Sequence, residues 1–240
     1  MSSLRETLQA NLAGVHERIT QAARGVGRAG SAVTLVAVSK TFPAEAVLAA
    51  ADCGQQDFGE NYVQEAVDKI KRLRELAPQH RLTWHFIGPI QSNKTRVIAE
   101  HFDWAQSVER LKVAQRLSEQ RPAGLAPLSV LLQVNVSREA SKSGIAPAEL
   151  PALAKAVVAL PRLRLRGLMA IPEPSADPAA QFAPLRRMRE LFDALRRDHP
   201  HADIDTLSMG MSADLEAAVA AGSTMVRIGT AIFGQRERIH

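Results

Sequence analysis

The run Thr34-Leu35-Val36-Ala37-Val38-Ser39-Lys40-Thr41 sets the architecture that every other segment has to fit. Its apolar residues are consecutive rather than alternating, the pattern of a strand covered on both faces, as in a parallel sheet. A lysine stands where this strand leaves the core. An ammonium is costly there unless it is paired or gives up its proton, and a lysine of lowered pKa is a nucleophile for aldehydes. Lys40 is therefore the first candidate functional residue. It raises the question whether the chain also builds a site for an aldehyde.

On the N-terminal side of that strand, Leu4, Leu8, Leu12, Val15, Ile19 and Ala22 share one helical face, which predicts a helix ending near Gly25 and Gly27. On the C-terminal side, strand-like and helix-like segments alternate. Further strands are predicted over 57–60, 83–88, 102–108, 128–136, 163–171, 206–209 and 225–229. Helices are predicted over 43–51, 62–76, 93–100, 109–120, 147–160 and 212–221, and along the apolar stripe of Phe182, Leu185, Met188, Leu191, Phe192 and Leu195. Gly222 caps the helix over 212–221. Residues 121–127 and 172–178 read as loops, the second as a lid, and the last residues as a tail or short helix. Eight strands, seven intervening helices and one helix in front predict a single (β/α)8 TIM barrel spanning residues 1–240 as one domain. An open doubly wound sheet is the alternative.

Composition narrows the function class. With 240 residues the chain can bury a substantial core. No apolar run approaches a membrane span, and Met1-Ser2-Ser3-Leu4-Arg5-Glu6 lacks the layout of a secretion signal. Cys53 is the only cysteine, so no internal disulfide forms, which fits a reducing, cytoplasmic setting. The net charge is +5 and the isoelectric point is near 9.8. The basic residues are nevertheless mixed with acids on helix faces, as in Arg186-Arg187-Met188-Arg189-Glu190. One Tyr and two Trp supply no stacking platform. Nucleic acid and membrane are therefore not expected partners.

Barrel active sites lie at the C-terminal ends of the strands, and the loops after strands seven and eight often bind phosphate. Here those loops read Ser208-Met209-Gly210-Met211-Ser212-Ala213-Asp214 and Arg227-Ile228-Gly229-Thr230. Glycines let backbone N–H groups approach an anion, and hydroxyls donate to it. Ser212 alone also reads as an N-cap. A lysine on strand one and a phosphate site at strands seven and eight, facing each other across the mouth, leave room for a small phosphorylated aldehyde such as pyridoxal 5′-phosphate (PLP). Arg227 either faces the pyridine nitrogen, keeping it unprotonated, or makes an ordinary salt bridge on the rim. Asn61 either bonds a ring substituent or caps the next helix. His85 reads as a satisfied core histidine, and Lys94 and Arg96 as the solvated start of a helix. No His, Cys and carboxylate cluster has metal spacing.

Five segments together resemble the YggS/PROSC family, the pyridoxal phosphate homeostasis proteins. They are Leu35 to Lys40; Phe58-Gly59-Glu60-Asn61-Tyr62-Val63-Gln64-Glu65; Trp84 to Gly88 with Gln91 to Lys94; Gly167 to Ile171; and Leu207 to Ser212 with Gly222 to Gly234. The resemblance implies a fold like the N-terminal barrel of alanine racemase, with PLP held as a Schiff base on Lys40. It further implies a phosphate resting on Ser208, Ser212 and the backbone near Gly229 and Thr230, Arg227 at the pyridine nitrogen, and Asn61 and Met169 lining the ring. The implied role is buffering and delivery of PLP to apo PLP-enzymes by a monomer or weak dimer, with no established catalytic residue or reaction. A low-activity amino-acid racemase or transaminase is the alternative. Against it, the chain stops soon after strand eight, and its only tyrosine, Tyr62, follows the second strand.

Overall fold

In the computed structural model, which describes residues 3–137, 143–173 and 175–235, eight parallel strands close into a barrel in sequence order. They are β1 (Thr34–Val38), β2 (Asp57–Glu60), β3 (Thr83–Phe86), β4 (Trp104–Val108), β5 (Leu128–Gln133), β6 (Leu163–Met169), β7 (Thr206–Ser208) and β8 (Met225–Ile228). The α-helices are α1 (Leu4–Gly25), α2 (Ala44–Ala51), α3 (Val63–Leu76), α4 (Thr95–His101), α5 (Leu111–Gln120), α6 (Leu150–Val158), α7 (Pro178–Asp198), α8 (Leu215–Ala220) and α9 (Thr230–Phe233). The expected barrel and its extra N-terminal helix are both present. Pairing of β8 with β1, from Thr34↔Met225 to Ala37↔Ile228, excludes the open sheet.

α1 starts from a capping box in which Ser3 and Glu6 satisfy each other's backbone N–H groups. It buries Leu8, Leu12, Val15, Ile19 and Ala23 against α2, α8 and α9. The strands separate two layers. One face, with Leu35, Ala37, Phe58, Phe86, Val130, Leu132, Leu168, Leu207 and Val226, packs under the helices in the main apolar core. Val36, Val38, Leu131, Met169 and Met225 are buried outside that core, on the barrel side of their strands. Basic side chains on α7 pair along the helix, Arg187 with Glu190 and Arg189 with Asp193, as expected of a solvated face. Among the described residues no helix is long and apolar enough to cross a membrane.

Boundaries differ from expectation where tertiary contacts intervene. β1 stops at Val38, because Thr41 turns the chain with φ +69°. α8 begins at Leu215 rather than at Ser212, after a turn in which Asp214 accepts the N–H of Met211 at 2.6 Å. The expected tail opens with the short helix α9. Pro174, part of the expected lid, and residues 236–240, part of the expected tail, lie outside the described residues.

Gly167 has φ +145°, at a register shift between β5 and β6, and a Cβ there would lie 1.9 Å from the carbonyl oxygen of Thr206. Strand β7 could not approach β6 past any side chain at this position. Gly167→Ala is expected to cost about 3 kcal/mol of unfolding free energy, measured as a drop in the urea midpoint.

Candidate functional site

Two residues beyond β1, Lys40 occupies a half-buried turn. Strand alternation puts it in register with Val36 and Val38, and a Cβ built on Gly59 of β2 would touch the side chains of both valines. The turn is pinned on each side of Lys40. Ser39 donates its N–H to the Gly59 carbonyl at 3.0 Å and its hydroxyl to Glu60 Oε1 at 2.6 Å. Thr41 donates its N–H to Glu65 Oε1 at 2.6 Å. A β-branched residue at positive φ is strained by about 1–3 kcal/mol, and such strain persists only where surroundings hold it.

Behind the turn lies a group that the sequence reading passes over. Lys69 on α3 donates to the Ser39 carbonyl at 2.9 Å, to Glu60 Oε1 at 2.5 Å and to Glu65 Oε1 at 3.2 Å. Both Lys69 and Glu60 are buried, and Glu60 Oε2 has no hydrogen-bond partner. Burial pushes the Glu60 carboxyl up from its ordinary value, while Lys69 pulls it down. The available signal was positional: Lys69 stands inside the buried stripe of Ala66, Val67, Ile70 and Leu73.

The loop after β8 lies beside the lysine turn rather than across the mouth from it. Because β8 pairs with β1, Gly229 packs directly on Val38. A Cβ at Gly229 would sit 3.3 Å from the Val38 carbonyl oxygen. Gly229 is the N-cap of α9 and Thr230 its first residue, and the first amides of a helix have no intrahelical acceptor. Ser212 is half-buried in the turn before α8; its carbonyl accepts from Arg18 at 3.0 Å. Its hydroxyl caps no helix, because the cap position is Asp214. Among the described residues the Ser212 hydroxyl has no hydrogen-bond partner.

Arg227 and Ser208 are joined to each other inside the barrel. Arg227 is no rim salt bridge. It is buried in the barrel interior, donating to Ser208 Oγ at 2.6 Å and to the Ala170 carbonyl at 2.9 Å. Burial lowers its pKa to about 10, with the charge of Asp214 opposing the shift, so the guanidinium stays cationic at neutral pH. Ser208 in turn donates to Gln106 Oε1 at 2.7 Å. Its hydroxyl is thus engaged as donor and as acceptor within the protein, directly under Arg227.

Asn61 follows β2, and Tyr62, not Asn61, is the N-cap of α3. Asn61 Oδ1 is buried without a hydrogen-bond partner, which removes the capping alternative. Met169, fully buried, ends β6 opposite Ser208. His85 is a core residue, as expected, bonded to Asp57 and Gln106. Lys94 and Arg96 stand at the start of α4, with Arg96 exposed and loosely paired to Glu100. Next to the Ser212 turn, a cavity of about 310 Å³ lies between the β6–α7 loop and the β7–α8 loop, lined by Pro172, Gln181, Met211 and Asp214 among others. Among the described residues no group of three or more His, Cys, Asp or Glu side chains could hold a metal ion.

Lys69→Met removes the charge that compensates Glu60, and a broken buried pair of this kind costs about 3 kcal/mol. Because burial raises the Glu60 pKa, the stability tied to its neutral form is present below the ordinary carboxylate range and lost as pH rises through the raised value. Urea unfolding is therefore expected to show a larger deficit for Lys69→Met at pH 7 than at pH 5.

The geometry has close counterparts. The chain matches the family model described as alanine racemase, N-terminal domain, over residues 11–237. It is 60% identical over 227 residues to the pyridoxal phosphate homeostasis protein of Escherichia coli (strain K12), covering 95% of this chain and 96% of that one. It is 62% identical over 231 residues to the protein of the same name from Pseudomonas aeruginosa PAO1, covering 96% of each. Its fold is similar to the solved structure of PipY from Synechococcus elongatus PCC7942 with PLP bound, with a TM-score of 0.78, 36% identity, and coverage of 95% of this chain and 100% of that one. With this sequence identity along nearly its whole length and the same closed barrel, the chain belongs to the family of pyridoxal phosphate homeostasis proteins, within the alanine racemase N-terminal domain fold.

Proposed function

We propose that this protein binds pyridoxal 5′-phosphate through Lys40 and serves vitamin B6 homeostasis by holding the cofactor and releasing it to apo PLP-enzymes. The observation that carries the reading is the contact of the Lys40 strand with Gly229, which sets the lysine turn beside two helix-start amides, with Arg227 two residues before Gly229 on β8. The PLP bound in the Synechococcus relative supports the same cofactor here.

The residues fit the group. Ser212 offers a hydroxyl without a protein partner, and Gly229 and Thr230 offer backbone N–H groups to a phosphate. Arg227 has guanidinium donors beyond the two that hold Ser208 and Ala170. One of them serves the pyridine nitrogen, and a guanidinium that stays charged leaves that nitrogen without a proton. Asn61, with its unpaired Oδ1, and Met169 line the ring. When bound, the cofactor supplies an aldehyde for the Lys40 amine and an electron-withdrawing ring that Arg227 weakens as an electron sink. A weak sink suits storage better than turnover. Tyr62, the one tyrosine, is 52% exposed at the start of α3, and no catalytic acid–base pair is assigned. The reading goes with a cytoplasmic protein, as monomer or weak dimer.

Borohydride reduction of the PLP-loaded protein, followed by peptide mass spectrometry, is expected to find the adduct on Lys40. Lys40→Ala is expected to lose the adduct and keep its far-UV circular dichroism. An adduct on another lysine would overturn the anchor. Incubating the loaded protein with D- and L-amino acids in deuterated water is expected to leave Cα unlabelled while PLP passes to an added apo-enzyme. Catalytic deuterium incorporation would instead establish the low-activity racemase or transaminase.

A further inference from the structure

A hydrogen-bonded chain crosses the barrel interior and ends on Arg227. It starts at Asp57, the first residue of β2, whose Oδ1 lies 2.9 Å from Nε2 of His85. The other ring nitrogen, Nδ1, lies 3.0 Å from Gln106 Nε2 on β4. Gln106 Oε1 accepts from Ser208 at 2.7 Å, and Ser208 accepts from Arg227 at 2.6 Å. His85, Gln106, Ser208 and Arg227 are all buried, with His85, Gln106 and Ser208 fully so. The links come from β2, β3, β4, β7 and β8, so none is a local contact.

The direction of every bond is fixed. Gln106 Nε2 also lies 3.2 Å from the thioether sulfur of Met225, which only accepts. The amide nitrogen of Gln106 therefore faces His85 and Met225, and its oxygen faces Ser208. His85 Nδ1 must then accept, so the ring proton sits on Nε2 and is donated to Asp57. Each group donates to the next in one sense, from the Arg227 cation to the Asp57 carboxylate, and neighbouring bonds so aligned polarise one another. The His85 ring is held flat against Trp104, with centroids 5.2 Å apart and 19° between planes, and Arg166 lies over the indole at 4.8 Å while pairing with Asp205.

We propose that Asp57, His85, Gln106 and Ser208 are positioning residues that fix the orientation of the Arg227 guanidinium through a one-way hydrogen-bond chain, with His85 locked as its neutral Nε2–H tautomer. An arginine in a barrel full of shorter side chains has many rotamers. The chain selects one, and so sets which donor edge is left for a ligand at the mouth. The proposal rests on the reading that Arg227 serves the cofactor ring only for its effect on binding. The tautomer and the direction of the chain stand on the protein alone.

The test has two arms. Long-range proton–nitrogen correlation spectra of the protein labelled with 15N-histidine, recorded without PLP, are expected to show His85 protonated at Nε2 and bare at Nδ1. In Gln106→Glu, whose carboxylate cannot donate, that pattern is expected to be lost. A wild-type His85 protonated at Nδ1 would overturn the chain whatever the cofactor does. In the second arm, PLP is titrated into wild type, Ser208→Ala and Gln106→Glu, with each variant first shown to unfold cooperatively. Ser208→Ala and Gln106→Glu are each expected to weaken PLP binding about tenfold and to shift the absorption maximum of the bound cofactor, which a loss of stability alone would not do. Unchanged affinity and spectrum in both would overturn the positioning role. Failure of the wild type to bind PLP would instead sink the cofactor reading and leave the first arm to decide the chain.

Discussion

The ladder between β8 and β1 joins the two ends of a chain of parallel strands and brings the turn after β1 against the turn after β8. Thr34 pairs with Met225 and Ala37 with Ile228, and the next residues on each side, Val38 and Gly229, pack directly on each other. Every candidate binding group at the mouth inherits its place from that closure. Without it Lys40 and Gly229 would lie on opposite edges of an open sheet, and no ligand of modest size would span them.

The interior of the barrel holds buried polar residues, among them Arg227, His85, Gln106 and Ser208. An apolar filling would be cheaper, because burying an arginine, a histidine, a glutamine and a serine strips each of water. The structure meets that cost by connecting them end to end. Arg227 is given two acceptors, Ser208 is used in both directions, and Gln106 uses its oxygen and its nitrogen. A half-satisfied network of this kind would destabilise the fold more than a plain apolar core.

A second polar group, Lys69 with Glu60 and Glu65, serves the other wall of the site. It holds the Ser39 carbonyl and the Thr41 amide, the residues on either side of Lys40. A lysine amine at the end of a flexible stem becomes useful only if its backbone is fixed, and here that fixing is done by side chains from β2 and α3. Thr41, strained at φ +69°, shows that the turn is imposed by its surroundings rather than by local preference.

The sequence by itself determined the eightfold alternation of strand and helix, the apolar faces, the leading helix and the positions of Lys40, Arg227 and the Gly229-Thr230 turn, because these follow from local periodicity and residue chemistry. Family resemblance added the cofactor and the ring-lining residues. Tertiary structure alone decided that Ser208 engages Arg227, that Ser212 and Asn61 cap no helix, that the lysine turn adjoins the loop after β8, that Lys69 holds the Ser39 carbonyl, and that Gln106 links His85 to Ser208. The physical reason is that a hydrogen-bond partner 20, 100 or more residues away, as for Ser39 with Glu60 or Ser208 with Gln106, leaves no periodic mark on the chain. Only the closed barrel, by setting strands side by side, chooses which donor meets which acceptor.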